Sequence, residues 1–274
     1  MKCFYHKSDL DGHCSGAIVK RKFPQCEMIG VDYLDKLDNF VFTAGETVYI
    51  VDFSFDIDEM MKYNRFIDIH WIDHHKSKID EAHNLGFIAA GGQSLEIGQA
   101  GCELTWQYLY PKEPIPKAVF HLGRYDVWDH SDLDTLPFQY GMRQQDNTYP
   151  ESSLWDNIFK KCQTIEGVIK VGKTIIAYEK TQNAKYAKGM SYEAEFHGLR
   201  AIIMNKAYAN SLSFESVYDP EKHDIMILFG VKPGEVKYTL FCTKPDIDVS
   251  AIAKTYGGGG HKGAAGFYRS KCII

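Results

Sequence analysis

The sequence predicts an α/β protein with an N-terminal, mostly parallel sheet covered by helices on both faces. A helical connector and a smaller C-terminal α/β domain follow it. Three observations predict this. Short apolar runs alternate with helically spaced segments over roughly the first 160 residues, the pattern of βαβ units. Two long helical patterns, the second rich in Lys, Ala and Tyr, then occupy the middle. After Gly189 the chain returns to strands. The expected boundaries are 1–163, 164–190 and 191–274.

The elements follow in order. Lys2–Tyr5 reads as a strand ending at His6, and Gly12–Phe23 as a helix through Ala17, Ile18 and Val19. Glu27–Tyr33 and Glu46–Phe53 read as strands, Ile57–Tyr63 as a short helix. Phe66–Asp73 is a further strand running into His74-His75, and Phe87–Ala90 a short fifth one. Gln99–Tyr110, Pro116–Leu122, Ser152–Cys162 and Ile165–Lys188 carry helical spacing. Strands are expected at Leu199–Asn205, Asp224–Phe229 and Val236–Cys242, then a helix at Val249–Tyr256 before the glycines Gly257–Gly260.

Composition narrows the function classes. With 31 Lys+Arg against 36 Asp+Glu, the formal charge is −5. That disfavours non-specific binding to long duplex nucleic acid, whose affinity is largely electrostatic. It leaves room for a short anionic substrate held by local cations. No apolar run reaches the roughly 18 residues of a membrane span, and the polar start MKCFYHKSDLDG does not read as a signal peptide. The seven cysteines are widely spaced with no CxxC pair. They read as reduced, mostly buried thiols of a cytoplasmic protein, not as a zinc ribbon.

Four acidic and imidazole clusters sit where predicted strands stop, or where a helix or loop begins. They are His6-Lys7-Ser8-Asp9-Leu10-Asp11-Gly12, then Asp52, then Asp73-His74-His75-Lys76, then Asp126 in Arg124-Tyr125-Asp126-Val127-Trp128. In an open parallel sheet that edge binds ligands. Alone, an Asp at such a place is an ordinary cap or turn former, and Asp9 fits the N-cap of its helix. Together they offer mixed oxygen and imidazole donors, suited to a manganese-like divalent ion. They outnumber the needs of one ion, and two ions about 3.5–4 Å apart would use them all.

His6-x-x-Asp9-x-Asp11-Gly12, Asp52 and Asp73-His74-His75 resemble the ordered motifs of the DHH phosphoesterase superfamily. The tail Asp248-Val249-Ser250-Ala251-Ile252-Ala253, with Gly257–Gly260 and His261-Lys262-Gly263-Ala264-Ala265-Gly266, is similar to that family's C-terminal substrate-binding domain. Tyr125-Asp126-Val127-Trp128 resembles the fourth motif of its bacterial oligoribonucleases, the nanoRNases. The resemblance implies a catalytic domain at 1–163 and a substrate-binding domain at 191–274. It also implies a two-metal phosphodiesterase acting on short oligonucleotides by attack of a metal-bridging hydroxide on phosphorus. One ion would take His6, Asp9 and Asp52; the other Asp11, Asp52, His74 and Asp126. Manganese is expected, with cobalt or magnesium as alternatives. Asp52 and His75 would be catalytic, and Asp73 would orient a loop or an imidazole. Lys76, Gly258, Gly259, Gly260, His261 and Lys262 would contact substrate. A homodimer is compatible with this reading. The alternatives are a hydrolase of a linear or cyclic dinucleotide or a 3′,5′-bisphosphate, and a silent nucleotide-binding module. One departure stands out: Phe241 occupies the place where this branch commonly carries an arginine.

Gly167–Thr174 matches the phosphate-loop pattern GxxxxGK[ST]. No strand precedes it, and Ile165, Val168, Ile169, Gly172, Ile175 and Ile176 follow a helical stripe, so the segment reads as helix. His70, Trp71, Trp106 and Trp155 read as core, while His13 and His130 lie near motifs without an assigned role.

Overall fold

The structure is a computed structural model that describes residues 1–160 and 162–274. Lys161, inside the expected helix Ser152–Cys162, lies outside the described residues, as does the side chain of Cys162. The chain divides into two compact units, Met1–Ile175 and Ile176–Ile274.

The first unit contains β1 (Lys2–His6), α1 (Leu10–Lys22), β2 (Glu27–Val31), β3 (Thr47–Val51), α2 (Ile57–Tyr63), β4 (Asp68–Asp73), α3 (Lys76–Leu85) and β5 (Gly92–Leu95). Then come α4 (Gly101–Leu109), α5 (Lys117–Asp126), α6 (Thr135–Met142), α7 (Ser153–Lys160) and the start of α8 (Cys162–Met190). The five strands form a parallel sheet in the order β2-β1-β3-β4-β5. Successive side chains point to opposite faces, and both faces are buried. Cys3, Tyr5, Tyr49, Val51 and Ile72 enter a core with α1, α4 and α5. Phe4, Val48, Ile50, Ile69 and Trp71 enter the opposite one with α2 and α3.

The second unit contains the rest of α8, then β6 (Ser191–Phe196), β7 (Leu199–Asn205), β8 (Ile225–Lys232), β9 (Glu235–Phe241), α9 (Val249–Thr255), β10 (Gly259–His261) and β11 (Ala264–Arg269). Its sheet runs β10-β11-β9-β8-β7-β6, parallel at β7–β8 and antiparallel at the other pairs. Both units are α/β, as the sequence predicts.

One expected strand needs correction, and the structure adds three features that the sequence reading did not give. The fifth strand is Gly92–Leu95, not Phe87–Ala90. Phe87 and Ala89 are apolar because they plug the core beneath α2 and α3, not because they pair. The helices α3 and α6 escape the amphipathic pattern: α3 is polar and buries a single residue, Ala82, while α6 is short, buried along most of its length and carries Pro137 inside it. The connector expected at 164–190 coincides with α8, and the two compact units divide within it, between Ile175 and Ile176. Its early residues Ile165, Val168 and Ile169 belong to the first unit's core, and Ala187 to a cluster of the second. Finally, the Gly257–Gly260 run is tied into the second unit at both ends. The Gly257 and Gly258 N–H groups donate to Lys254 and Ala253 at 3.0 and 2.9 Å, closing α9. Gly259 and Gly260 pair with Gly266 and Ala265.

Among the described residues no helix is long and apolar enough to cross a membrane.

Candidate metal centre

The centre grows from the carboxyl edge of the parallel sheet. β1 ends in His6, β3 runs directly into Asp52, and β4 ends in Asp73 with His74 and His75 next. Asp9 and Asp11 flank the start of α1, and Asp126 is the last residue of α5. Three donor groups form, each with ligand atoms within 4.8 Å of one another: His6, Asp9 and Asp52; Asp11, His74 and Asp126; and Asp52, Asp73, His74 and His75.

Sterics bring these elements together. A Cβ on Gly12 would fall against the His6 carbonyl, so only glycine lets α1 start so close to the end of β1. A Cβ on Gly101 would lie 2.5 Å from the Asp52 Cβ, so only glycine lets α4 start beside that carboxylate. Asp52 itself has a left-handed backbone, φ +51°, a region that Asp tolerates better than most residues.

Asp9 reconciles two readings. Its Oδ1 caps α1 by accepting from the Gly12 N–H at 2.9 Å, while its Oδ2 lies 2.7 Å from His6 Nδ1. Asp11 accepts from the Gly101 and Cys102 N–H groups at 2.8 and 2.7 Å, which fixes its carboxylate at the start of α4. Asp52 faces both ways: Oδ2 is 3.9 Å from His6 Nδ1 and Oδ1 is 3.2 Å from His74 Nε2. His74 Nε2 also lies 3.3 Å from Asp126 and 3.8 Å from Asp11. Asp73 Oδ1 accepts from the His74 N–H at 2.8 Å, and lies 2.7 Å from His75 Nδ1. It thereby sets the imidazole's orientation, as carboxylates behind metal sites do.

Electrostatics show what this cluster lacks on its own. Burial, then the charges of Asp11, Asp9, Asp126 and Asp73, pushes the Asp52 carboxyl well above the usual range. Burial and the same acidic neighbours push Asp126 up too. His74 is pushed down by burial. Burial opposes charging His75, but its hydrogen bond to Asp73 and the surrounding carboxylates outweigh that and raise it to about 9. Asp52 Oδ1 and His6 Nε2 are buried without a hydrogen bond among the described residues. Imidazole and carboxylate atoms that approach closely yet do not hydrogen-bond each other have the chemistry of ligands around a shared cation. The donor set therefore fits divalent ions.

The other expected residues lie elsewhere. Lys76, in the first turn of α3, pairs with Asp80 at 2.6 Å on the surface. Gly258, Gly259, Gly260, His261 and Lys262 all belong to the second unit, with His261 and Lys262 exposed. Because the Gly258 N–H serves α9, it is not free to cradle an anion. His13 is buried between Thr148 and the Lys7 carbonyl. His70 stacks on Tyr49, with ring centroids 4.5 Å apart. Gly167–Thr174 is helix within α8, and Lys173 pairs with Asp134 at 2.7 Å. Phe241 is half-buried against the Met226 and Phe214 cluster.

Two neighbours of the centre escape the sequence reading. Asp32 follows β2 on the same edge, 3.9 Å from His6 Nε2. The rule that singled out Asp52 points to it equally. Glu103 is buried in α4 and pairs with Arg124, two residues before Asp126. That contact joins segments 21 residues apart and leaves no local pattern.

No family model matches the chain. An uncharacterized protein of Acanthamoeba polyphaga mimivirus is 28% identical over 248 residues, covering 86% of this chain and 55% of that protein. The chain thus spans about half the length of the curated relative it matches. Among solved structures, a pGpG-specific phosphodiesterase from Vibrio cholerae is similar, with a TM-score of 0.55 at 12% identity over 98% of this chain and 93% of that one. The DHH domain of a member of a family of ribosomal proteins has a TM-score of 0.55 at 13% identity, covering 97% and 81%. An exopolyphosphatase-related protein from Bacteroides fragilis has 0.53 at 12%, covering 99% and 87%. At these identities the likeness is one of fold, and that fold is the one found in DHH-domain proteins.

Proposed function

We propose that this chain is a metal-dependent phosphodiesterase of the DHH type that hydrolyses short oligonucleotides. The observation that carries the reading is Asp52. It is a buried carboxylate whose two oxygens face two different sets of imidazole and carboxylate donors, the disposition of a bridging ligand. His6, Asp9 and Asp52 would hold one divalent ion, and Asp11, Asp52, His74 and Asp126 the other, with manganese the first choice. Bound there, two ions would activate water near neutral pH and neutralise charge on a phosphoryl group.

The remaining roles belong to the chain's own groups. His75, kept protonated by Asp73, is placed to donate a hydrogen bond to a phosphate or leaving oxygen. Asp73 holds that ring. His261 and Lys262 are proposed contacts to the substrate away from the reacting phosphorus. The charge of −5 suits short substrates better than sliding along long strands. A cytoplasmic setting is proposed from the cysteines: Cys3, Cys14, Cys26 and Cys102 are free and buried.

A second reading, hydrolysis of a small dinucleotide, is favoured by the fold likeness to a pGpG-specific phosphodiesterase. One panel separates the readings. Short RNA, short DNA, a cyclic and a linear dinucleotide, and adenosine 3′,5′-bisphosphate are assayed with manganese, alongside metal analysis of the purified protein. Turnover of the short RNA is expected, with Asp52→Ala lowering rate by orders of magnitude and reducing bound metal. Undiminished turnover in that variant would remove the bridging assignment. A protein that holds no metal and turns over nothing would be a binding module instead.

A further inference from the structure

The turn that ends α5 has an anomaly. The Asp129 N–H donates to the Arg124 carbonyl at 2.8 Å and the Trp128 N–H to that of Tyr125 at 3.0 Å. This is the paired closure in which the penultimate turn residue takes a left-handed backbone, a place glycine usually fills. Here that residue is Trp128, at φ +58°. A bulky side chain is strained there. The ring also gains little burial in return: Trp128 is 52% exposed, whereas Trp71, Trp106 and Trp155 are 0–3% exposed. His130 backs it at a centroid distance of 4.4 Å and Tyr125 at 5.7 Å. Those two contacts leave about half of a strained ring open to solvent, two residues from the Asp126 carboxylate.

A second exposed ring lies at the other donor group. Tyr33, 66% exposed, packs its ring 5.3 Å from that of His6 and 5.8 Å from that of Phe53. Its loop is pinned: the Tyr33 N–H donates to Asp32 at 2.9 Å, and Ser8 donates to Asp32 at 2.7 Å. So an open aromatic ring accompanies each donor group, Tyr33 beside His6 and Trp128 beside Asp126.

We infer that Trp128 and Tyr33 are stacking platforms for nucleobases on either side of the scissile phosphate, so that the centre recognises a unit of two nucleotides. The inference rests on the phosphodiester reading above. Stacking accepts any base, because each presents a flat π face, and it is worth a few kcal/mol per base. It therefore selects for the presence of bases and not for their identity.

The test uses a dinucleotide with an uncleavable methylphosphonate linkage and its analogue lacking both bases. Affinities are measured on the full-length, manganese-loaded protein by equilibrium dialysis. Since Trp128 is the exposed tryptophan, its emission offers a parallel readout. The base-containing ligand is expected to bind at least about 30-fold tighter than the abasic one, about 5-fold or more for each of the two bases, and to change the tryptophan emission. Trp128→Gly removes the ring and relieves the left-handed strain, so it should fold at least as stably while losing most of that preference. Trp128→Phe should keep most of it without the emission change, and Tyr33→Ala should lose part of it. Equal binding of the two analogues, including no binding of either, overturns the inference, as does an undiminished preference in Trp128→Gly. The parent reading fails separately: no turnover of the cleavable dinucleotide by the metal-loaded protein would sink it, whatever the dialysis shows.

Discussion

A carboxylate as deeply buried as Asp52, facing Asp9, Asp11, Asp73 and Asp126, destabilises the metal-free protein. On the proposed reading a divalent cation would relieve that repulsion. Asp52→Asn keeps the side-chain shape, and asparagine tolerates the left-handed backbone. It should raise the stability of the metal-free protein by about 1–4 kcal/mol, as neutral replacements of buried charges often do. It should also abolish the melting-temperature gain expected from manganese in the wild type. Calorimetry with and without the ion measures both, and a destabilised metal-free variant would show that the repulsion is already relieved. At this scale the sequence is informative where partners are close along the chain. His6, Asp9, Asp11, Asp73, His74 and His75 are visible because each short segment carries several donors. Asp32 lies open to the same strand-end rule as Asp52, whereas Tyr33 and Glu103 are not visible, because their meaning comes from rings and charges that only the folded sheet edge brings near.

Among the elements, α8 shows how a motif can be present for another reason. Gly172 in the GxxxxGK pattern is required by a helix crossing. A Cβ there would collide with the Pro137 carbonyl of α6, and one on Gly141 of α6 would collide with the Val168 carbonyl of α8. Gly172→Ala should therefore destabilise the protein by about 1–3 kcal/mol or more. Lys173→Ala, which removes a mostly exposed partner of Asp134, should stay within about 0.5 kcal/mol. Both should leave ATP affinity absent. Denaturant titration ranks the pair, and the reverse ranking would restore the phosphate-loop reading. The helical stripe made α8 legible in advance. β5 was hidden because Gly92–Leu95 is polar, while the apolar run before it serves the core and not the ladder.

For the whole molecule, two units with separate cores imply two reporters. All four tryptophans, Trp71, Trp106, Trp128 and Trp155, lie in the first unit, as does every proposed metal ligand. Added manganese should raise the unfolding midpoint seen by tryptophan emission, by about 2.7 kcal/mol of stability at one hundred times its dissociation constant. It should leave a second-unit transition seen by circular dichroism unmoved, and equal shifts in both would show that the units unfold as one. In the second unit, acid should act through Asp224. Hydrogen bonds from Arg200 and Lys244 hold the Asp224 carboxyl far below the usual carboxylate range. A depressed folded value means its contribution is full above the unfolded value of about 3.9 and fades as pH falls below that. Asp224→Asn should flatten the acid side of the second unit's stability profile and leave the first unit's unchanged. An unchanged acid profile would assign that limb to other groups.

The glycines that seat the centre have a bearing on descent. Gly12 and Gly101 are demanded by the collision of a Cβ with the His6 carbonyl and with Asp52, a constraint that exists whether or not any chemistry is performed. Selection for catalysis preserves the carboxylates, while selection for folding alone preserves these two glycines. A homologue that had exchanged its acids but kept both would have inherited the pocket without the reaction. One that had lost Gly12 while keeping every acid would have retained the letters of the motif and forfeited its shape.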